Sequence, residues 1–197
     1  MFLNCSVFNQ PIGGRNTSSV TNMSYTFMQA TGFNQPIGGW DTSNVTTMRA
    51  MFWDEGGGMT FDQDIGSWDV SNVTTMQETF GMSAYVTNVQ RPYFNNGGSS
   101  SISGWNTGKV TTFNRMFEGN SGINQPIGAW DTSSVTNINN MFFKASSFDQ
   151  DLSNWVVTGV TSASNFMAQI TLSTTNYDSI LGGWSPQSVQ NGVSIHF

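Results

Sequence analysis

A single cysteine, Cys5, leaves this chain unable to close a disulfide within itself. The single histidine, His196, lies at the opposite end, so no Cys–His nucleophile pair is expected. Charge is scarce: 9% of the residues are Asp, Glu, Lys or Arg, against roughly 25% in an ordinary soluble domain. The net charge of −6 comes from acids scattered singly, which argues against a nucleic-acid partner. No apolar run approaches the ~18 residues a membrane-spanning helix needs. No signal peptide is visible, because the repeat described below starts at Met1 itself. An exported form would carry its signal on a longer precursor or have lost it. Phosphate loops, metal-ligand clusters and nucleophile motifs are all missing, so neither catalysis nor a metal or other cofactor is expected.

What the chain does have is apolar bulk: 15 Phe, 11 Met and 7 Trp within an apolar fraction of 37%. Intrinsic disorder usually needs high net charge or few aromatics, and neither holds. Gly, Ser, Thr and Asn fill the surface in place of charge, a composition more at home outside cells than in the cytosol.

The 197 residues are written in lines of about 25. "FNQPIGGWDTSNVTTM" begins at Phe33, and "INQPIGAWDTSSVTNI" returns at Ile123. Anchoring on the isoleucine of "QPIG" gives Ile12, Ile37, Ile65, Ile102, Ile127, Leu152 and Leu181. A second column holds Arg15, Trp40, Trp68, Trp105, Trp130, Trp155 and Trp184; a third holds Val20, Val45, Val73, Val110, Val135, Val160 and Val189. All three step together, which defines seven units at approximately 1–25, 26–50, 51–78, 79–115, 116–140, 141–165 and 166–197. Length varies in one place within the unit, between a phenylalanine column (Phe2, Phe27, Phe52, Phe80, Phe117, Phe142, ending in Met167) and the next anchor. The insertions are 54–60, 81–101 and 168–176. Ordering 25 residues costs nearly ~40 kcal/mol at about 1.5 kcal/mol each, while burying one Trp returns about 5 kcal/mol. One unit cannot fold alone. The fixed segments must stack, and the variable ones must protrude from one side.

Within a unit, Val45, Met48 and Met51/Phe52 recur at intervals of three and four, the spacing of a short helix or 3-10 turn capped by Asp41, Thr42 or Ser43. A short parallel strand is assigned to "FNQPI", although its proline cannot donate to a ladder. The β-branched "NVTT" is the alternative. The expected fold is therefore an α/β repeat solenoid, one domain over 1–197.

The phased W-D-x-S-x-V-T pattern in "FNQPIGGWDTSNVTTMRAMF" and its copies resembles the BspA-like leucine-rich-repeat surface proteins, in the branch with mycoplasma-lipoprotein-type repeats. The closing "NYDSILGGWSPQSVQNGVSIHF" resembles that family's terminal unit. The resemblance implies a leucine-rich-repeat-like right-handed coil displayed on a cell surface, and similar repeats occur in predicted phage and giant-virus proteins. Arg15 in the tryptophan column, the long fourth insertion and Gly192 in place of the methionine of "VTxM" depart from the pattern.

Several residues could carry function. The tryptophans form either exposed sugar-stacking platforms or a buried stack. Trp53, off that column and directly before an insertion, is a candidate partner contact. The row Thr21, Thr46, Thr74, Thr111, Thr136 and Thr161 either orders water, as an ice-binding face would, or bonds backbone at a helix start. The pairs Asp62/Asp64 and Asp149/Asp151 suggest calcium, but other units carry Asn and Pro there, so no continuous ladder of sites exists. Sequons at Asn4, Asn16, Asn22, Asn44 and Asn72 are by-products of the repeat. In the fourth insertion Tyr85, Arg91, Tyr93 and Phe94 bring hot-spot residue types together. The expected role is a non-catalytic extracellular or cell-surface recognition and adhesion module, with a protein or glycan partner. The alternative is a structural subunit of a virion or filament, contacting neighbouring copies; an ice-binding role ranks third.

Overall fold

The computed structural model describes residues 1–56, 58–83 and 94–195. Among these residues there is no β-strand, and the regular helices are one α-helix, α1 (Thr174–Trp184), and two 3-10 turns, Asn96–Gly98 and Ser101–Gly104. The expected α/β leucine-rich-repeat-like solenoid, with a strand and a helix or turn in every unit, is not formed. The chain is built instead from rungs made almost wholly of turns.

Both halves of that expectation fail for one physical reason. Segments such as "VTTMRAMF" alternate their hydrogen bonds. Met51 N–H donates to the Met48 carbonyl three residues back at 3.1 Å, while Met48, Ala50 and Phe52 donate to Thr75, Gln77 and Thr79 of the next rung at 3.2, 2.8 and 3.0 Å. A helix would keep those donors inside the segment, and a strand would not close tight turns. Tight turns of three place residues i and i+3 on one side, and this imitates helical spacing in the sequence. The first six rungs also use one left-handed residue here: Tyr25, Ala50, Glu78, Arg115, Asn140 and Asn165 have φ between 50° and 61°. That conformation interrupts either regular structure.

Rung-to-rung pairing survives as single parallel bridges joining Asn22, Thr47, Thr75, Thr112, Asn137 and Ser162 in succession. These fall on the "NVTT" side, whereas "FNQPI" makes no bridge. At "FNQP" the coupling runs through side chains: Oδ1 of Asn9 accepts Asn34 N–H at 3.0 Å, Asn34 Oδ1 accepts Asp62 N–H at 2.9 Å, and Asp62 Oδ1 accepts Asn95 N–H at 2.8 Å. Asn95 continues to Asn124, and Asn124 to Asp149, at 3.0 Å each. An acceptor at this column replaces the ladder that a proline-containing segment cannot make.

The interior is a double column of stacked rings. Phe27 and Phe33 lie 4.0 Å apart within one rung, Phe52 and Phe61 4.1 Å apart in the next, and Phe80 and Phe94 3.9 Å apart in the fourth. Between rungs, Phe27–Phe52 and Phe52–Phe80 stack at 5.4 and 5.6 Å. Fully burying each phenylalanine ring contributes about 1.5–3 kcal/mol. The tryptophans of the Trp40 column are buried, so the buried-stack reading holds over the sugar-platform one. The indole N–H of Trp40, Trp68, Trp130, Trp155 and Trp184 donates to the carbonyl of Ile12, Ile37, Ile102, Ile127 and Leu152, one rung earlier, at 2.9–3.2 Å. Glycine follows the anchor isoleucine because backbones meet there: a Cβ on Gly38 would sit 2.6 Å from the Asp64 carbonyl oxygen.

Candidate functional site

The third and fourth rungs leave the common path at neighbouring points. Asp54 and Met82 form a parallel bridge, Ser83 N–H donates to the Asp54 carbonyl at 2.9 Å, and Gly81 lies under the Trp53 ring. The Asp54 side chain organises the first departure. Its Oδ1 accepts Gly56 N–H at 2.9 Å, while Oδ2 accepts Gly58 N–H and, at 2.7 Å, Met59 N–H. A buried carboxylate with three backbone donors is a well-satisfied loop centre. Glu55 remains exposed beside it and accepts from Gln29 at 3.0 Å. Two departures from the stack thus open side by side on one edge.

The candidate contact residues divide into two groups. Trp53 is only 7% exposed and covers Gly81, and Phe94 is fully buried. Phe94 takes the position that Phe33 and Phe61 hold in their rungs, so both are packing residues and not contact surface. Tyr85, Arg91 and Tyr93 lie outside the described residues. The extra residues of the fourth rung fall in two places, before Phe94 and around the turns at 96–104, and not in one continuous loop. Sequence reasoning missed this because it aligned on the isoleucine. The signal was present in "FNN", which matches "FNQ" and "FDQ" as aromatic, acceptor, amide.

The threonine row is exposed, and its hydroxyls donate to backbone. Thr46, Thr74, Thr111, Thr136 and Thr161 Oγ1–H reach the carbonyl of the preceding threonine at 3.1–3.2 Å. The acceptors belong to the neighbouring rung and not to a helix start. The acid pairs are likewise engaged: Asp62 Oδ1 also accepts Gly97 N–H, Asp64 accepts Gly66 N–H and the Ser101 hydroxyl, Asp149 accepts Ser173 N–H and Asn176, and Asp151 accepts Ser153 N–H. Among the described residues no three His, Cys, Asp or Glu side chains group as metal ligands.

Hydrogen bonding sets the acidity of these groups. The Ser43 hydroxyl and backbone N–H hold the Asp41 carboxyl below its ordinary value, and Ser71 and Ser133 do the same for Asp69 and Asp131. Gly66 N–H, then the Ser101 hydroxyl, lowers Asp64; Ser173 N–H, then the Asn176 amide, lowers Asp149. These are anchoring carboxylates, ionised throughout the neutral range, and none is poised as a general acid.

At the last rung, Val193 replaces Val189 in the valine column. Its N–H closes a turn on the Gln190 carbonyl at 3.2 Å, as Val45 N–H does on Thr42 at 2.9 Å. Val189 is 40% exposed. Helix α1 runs through Trp184, so four additional residues separate that tryptophan from its valine.

The molecule belongs to the class of proteins made by piling up one short sequence unit, with its variation confined to where the units are interrupted. More particularly, the chain belongs to the family described as Mycoplasma protein of unknown function, DUF285, whose model matches residues 1–91 and 87–195. No curated protein and no solved structure matches it. Among the described residues no helix is long and apolar enough to cross a membrane.

Proposed function

We propose that this chain is a non-catalytic recognition and adhesion module of the BspA-like kind, displayed outside a cell, which binds a protein or glycan through the edge where its third and fourth rungs depart from the stack. The carrying observation is the adjacency of those departures, with Ser83 N–H bonded to the Asp54 carbonyl at 2.9 Å. The interior supports the reading, because its hydrogen-bonded rungs hold the edge on a stiff base. The threonine hydroxyls and the carboxylates of Asp62, Asp64 and Asp149 bond to neighbouring rungs, while those of Asp41, Asp54, Asp69, Asp131 and Asp151 close turns within their own, which favours a scaffold over a catalyst. The threonine hydroxyls give their protons to backbone, which favours the structural role of that row over an ice-binding one.

The test is a deletion that spares the core. Removing 82–100 would also take out Phe94 and Asn95, both members of the interior columns. Removing 84–93 keeps them. That shorter variant should unfold within a few degrees of the parent and lose binding to a panel of immobilised host matrix proteins and glycans. Binding equal to the parent's would refute the placement.

A further inference from the structure

The two halves of the chain are tied together unevenly. The two stretches that match the family model, 1–91 and 87–195, meet between Ser83 and Phe94. Ring pairs that cross from residues 1–83 to residues 94–195 are the widest of their columns. Phe80–Phe117 lies at 5.9 Å, where the other steps of that column are 5.4–5.7 Å. Phe61–Phe94 lies at 6.3 Å, where the other steps are 5.8 and 5.9 Å.

The loosening concentrates at the tryptophan corner. Elsewhere two kinds of side chain clamp one rung to the next there. One is the indole N–H bonded to a carbonyl of the rung before. The other is a threonine hydroxyl: Thr17, Thr42, Thr107 and Thr132 donate to the carbonyls of Asp41, Asp69, Asp131 and Val156 in the rung after, at 2.9–3.0 Å. Between the halves both clamps are missing among the described residues. The buried Trp105 N–H has no partner, and Val70 stands at the threonine position with no hydroxyl to offer Asn106. Val157 makes the same exchange two rungs on, but there Gln187 restores the link, accepting Val157 N–H and donating to the Trp155 carbonyl at 2.8 Å each. What the corner keeps between the halves is an exposed contact, Lys109 Nζ donating to Asn72 Oδ1 at 2.7 Å, for which water competes.

The rest of the junction is closed. Met76, Glu78, Phe80 and Met82 N–H donate to Thr112, Asn114, Met116 and Glu118 at 3.2, 2.9, 2.9 and 2.7 Å, and Gly119 packs against the Met82 side chain. On the "FNQP" side Asp62 accepts Asn95 and Gly97 N–H, and Asn96 Oδ1 accepts Ile65 N–H at 2.9 Å. In a stack whose rungs touch only their neighbours, motion collects at the weakest interface. We propose that this junction is a hinge: residues 1–83 and 94–195 move as two stiff stacks that part at the corner of Trp68, Val70, Trp105 and Lys109, while the ladder from Met76 to Met82 stays bonded. The ladder side carries the edge at Asp54 and Ser83, so the edge stays assembled as the corner opens. The hinge does not depend on what that edge binds.

Exchange of the indole N–H protons in the full chain, followed by NMR with each signal assigned by a Trp→Phe substitution, tests this. Trp105 should exchange at least ~10-fold faster than Trp68 and Trp130, through local opening. Val70→Thr supplies a hydroxyl facing the Asn106 carbonyl and should slow Trp105 exchange roughly 2–10-fold, the weight of one hydrogen bond. Asp69→Cys with Asn106→Cys, in a Cys5→Ser chain, joins two exposed positions of one column across the corner. Its oxidised form should slow Trp105 exchange at least ~10-fold, and reduction should restore the faster rate. Asp41→Cys with Asp69→Cys, placed within the first half, should leave the Trp105 rate unchanged. Should Val70→Thr lose stability, the disulfide decides, because its oxidised and reduced forms are compared in one chain. A Trp105 indole that exchanges no faster than those of Trp68 and Trp130 overturns the hinge. So does a rate that the oxidised bridge between positions 69 and 106 leaves unchanged.

Discussion

Phe94→Ala is the perturbation that most directly tests how the fourth rung is built. The Phe94 ring is fully buried, stacked at 3.9 Å on Phe80 in its own rung and at 6.3 Å on Phe61 in the rung before. Truncating a buried phenylalanine removes its burial energy and leaves a cavity, together costing about 3–5 kcal/mol. Relaxation is restricted, because Asn95 is tied to Asp62 on one side and to Asn124 on the other. The upper half of the range is therefore expected. In a chain of this size each kcal/mol shifts the melting temperature by roughly 2–4 °C, which predicts a fall of about 8–20 °C. Thermal and urea unfolding followed by tryptophan fluorescence would report it. Val7→Ala, at a site 94% exposed, serves as control and should stay within about 0.5 kcal/mol. A Phe94→Ala variant that lost less than about 1 kcal/mol, while losing partner binding, would refute the core placement.

Three further outcomes follow from the same geometry. Gly38→Ala should cost about 1–3 kcal/mol or more in chemical denaturation, because the new Cβ would stand 2.6 Å from the Asp64 carbonyl. Trp130→Phe should destabilise more than Trp105→Phe, by about 0.5–1.5 kcal/mol in a paired comparison. The Trp130 indole donates to the Ile102 carbonyl at 2.9 Å, whereas among the described residues the buried Trp105 N–H has no partner. Acid should weaken the fold through Asp41, Asp64, Asp69, Asp131 and Asp149, whose carboxyls are held below their ordinary values by hydrogen bonds. A depressed folded value means the stabilisation is complete above the ordinary carboxylate range near ~3.9 and is lost as pH falls through the folded values. An Asp41→Asn, Asp69→Asn, Asp131→Asn variant should show a flatter stability curve below pH ~4, read by urea midpoints at each pH; an unchanged slope would contradict the assignment.

Particular residues show where sequence reasoning reached its limit. The tryptophan and phenylalanine columns were readable because a stacked ring needs an equivalent ring one rung away, and that requirement repeats at a fixed interval. The local path was not readable. Val45, Met48 and Met51 share a side whether the segment is a helix or a chain of three-residue turns, and hydropathy alone cannot separate the two. Positive φ at Tyr25, Ala50 and Arg115 carries no glycine to advertise it. Val189 follows from counting eight residues on from the anchor Leu181, and a helix longer than the usual link moves the position to Val193. At the candidate edge, Trp53 and Phe94 are residue types common to cores and binding sites alike, and only burial distinguishes the two.

The repeat, its period and the aromatic columns were determined by sequence alone, because identical side chains at one interval can be buried together only by lying one above another. Which atoms join successive rungs was decided in three dimensions. Whether an N–H turns back three residues or reaches the next rung depends on what lies within about 3 Å of it, and that neighbour is 25 or more residues away along the chain.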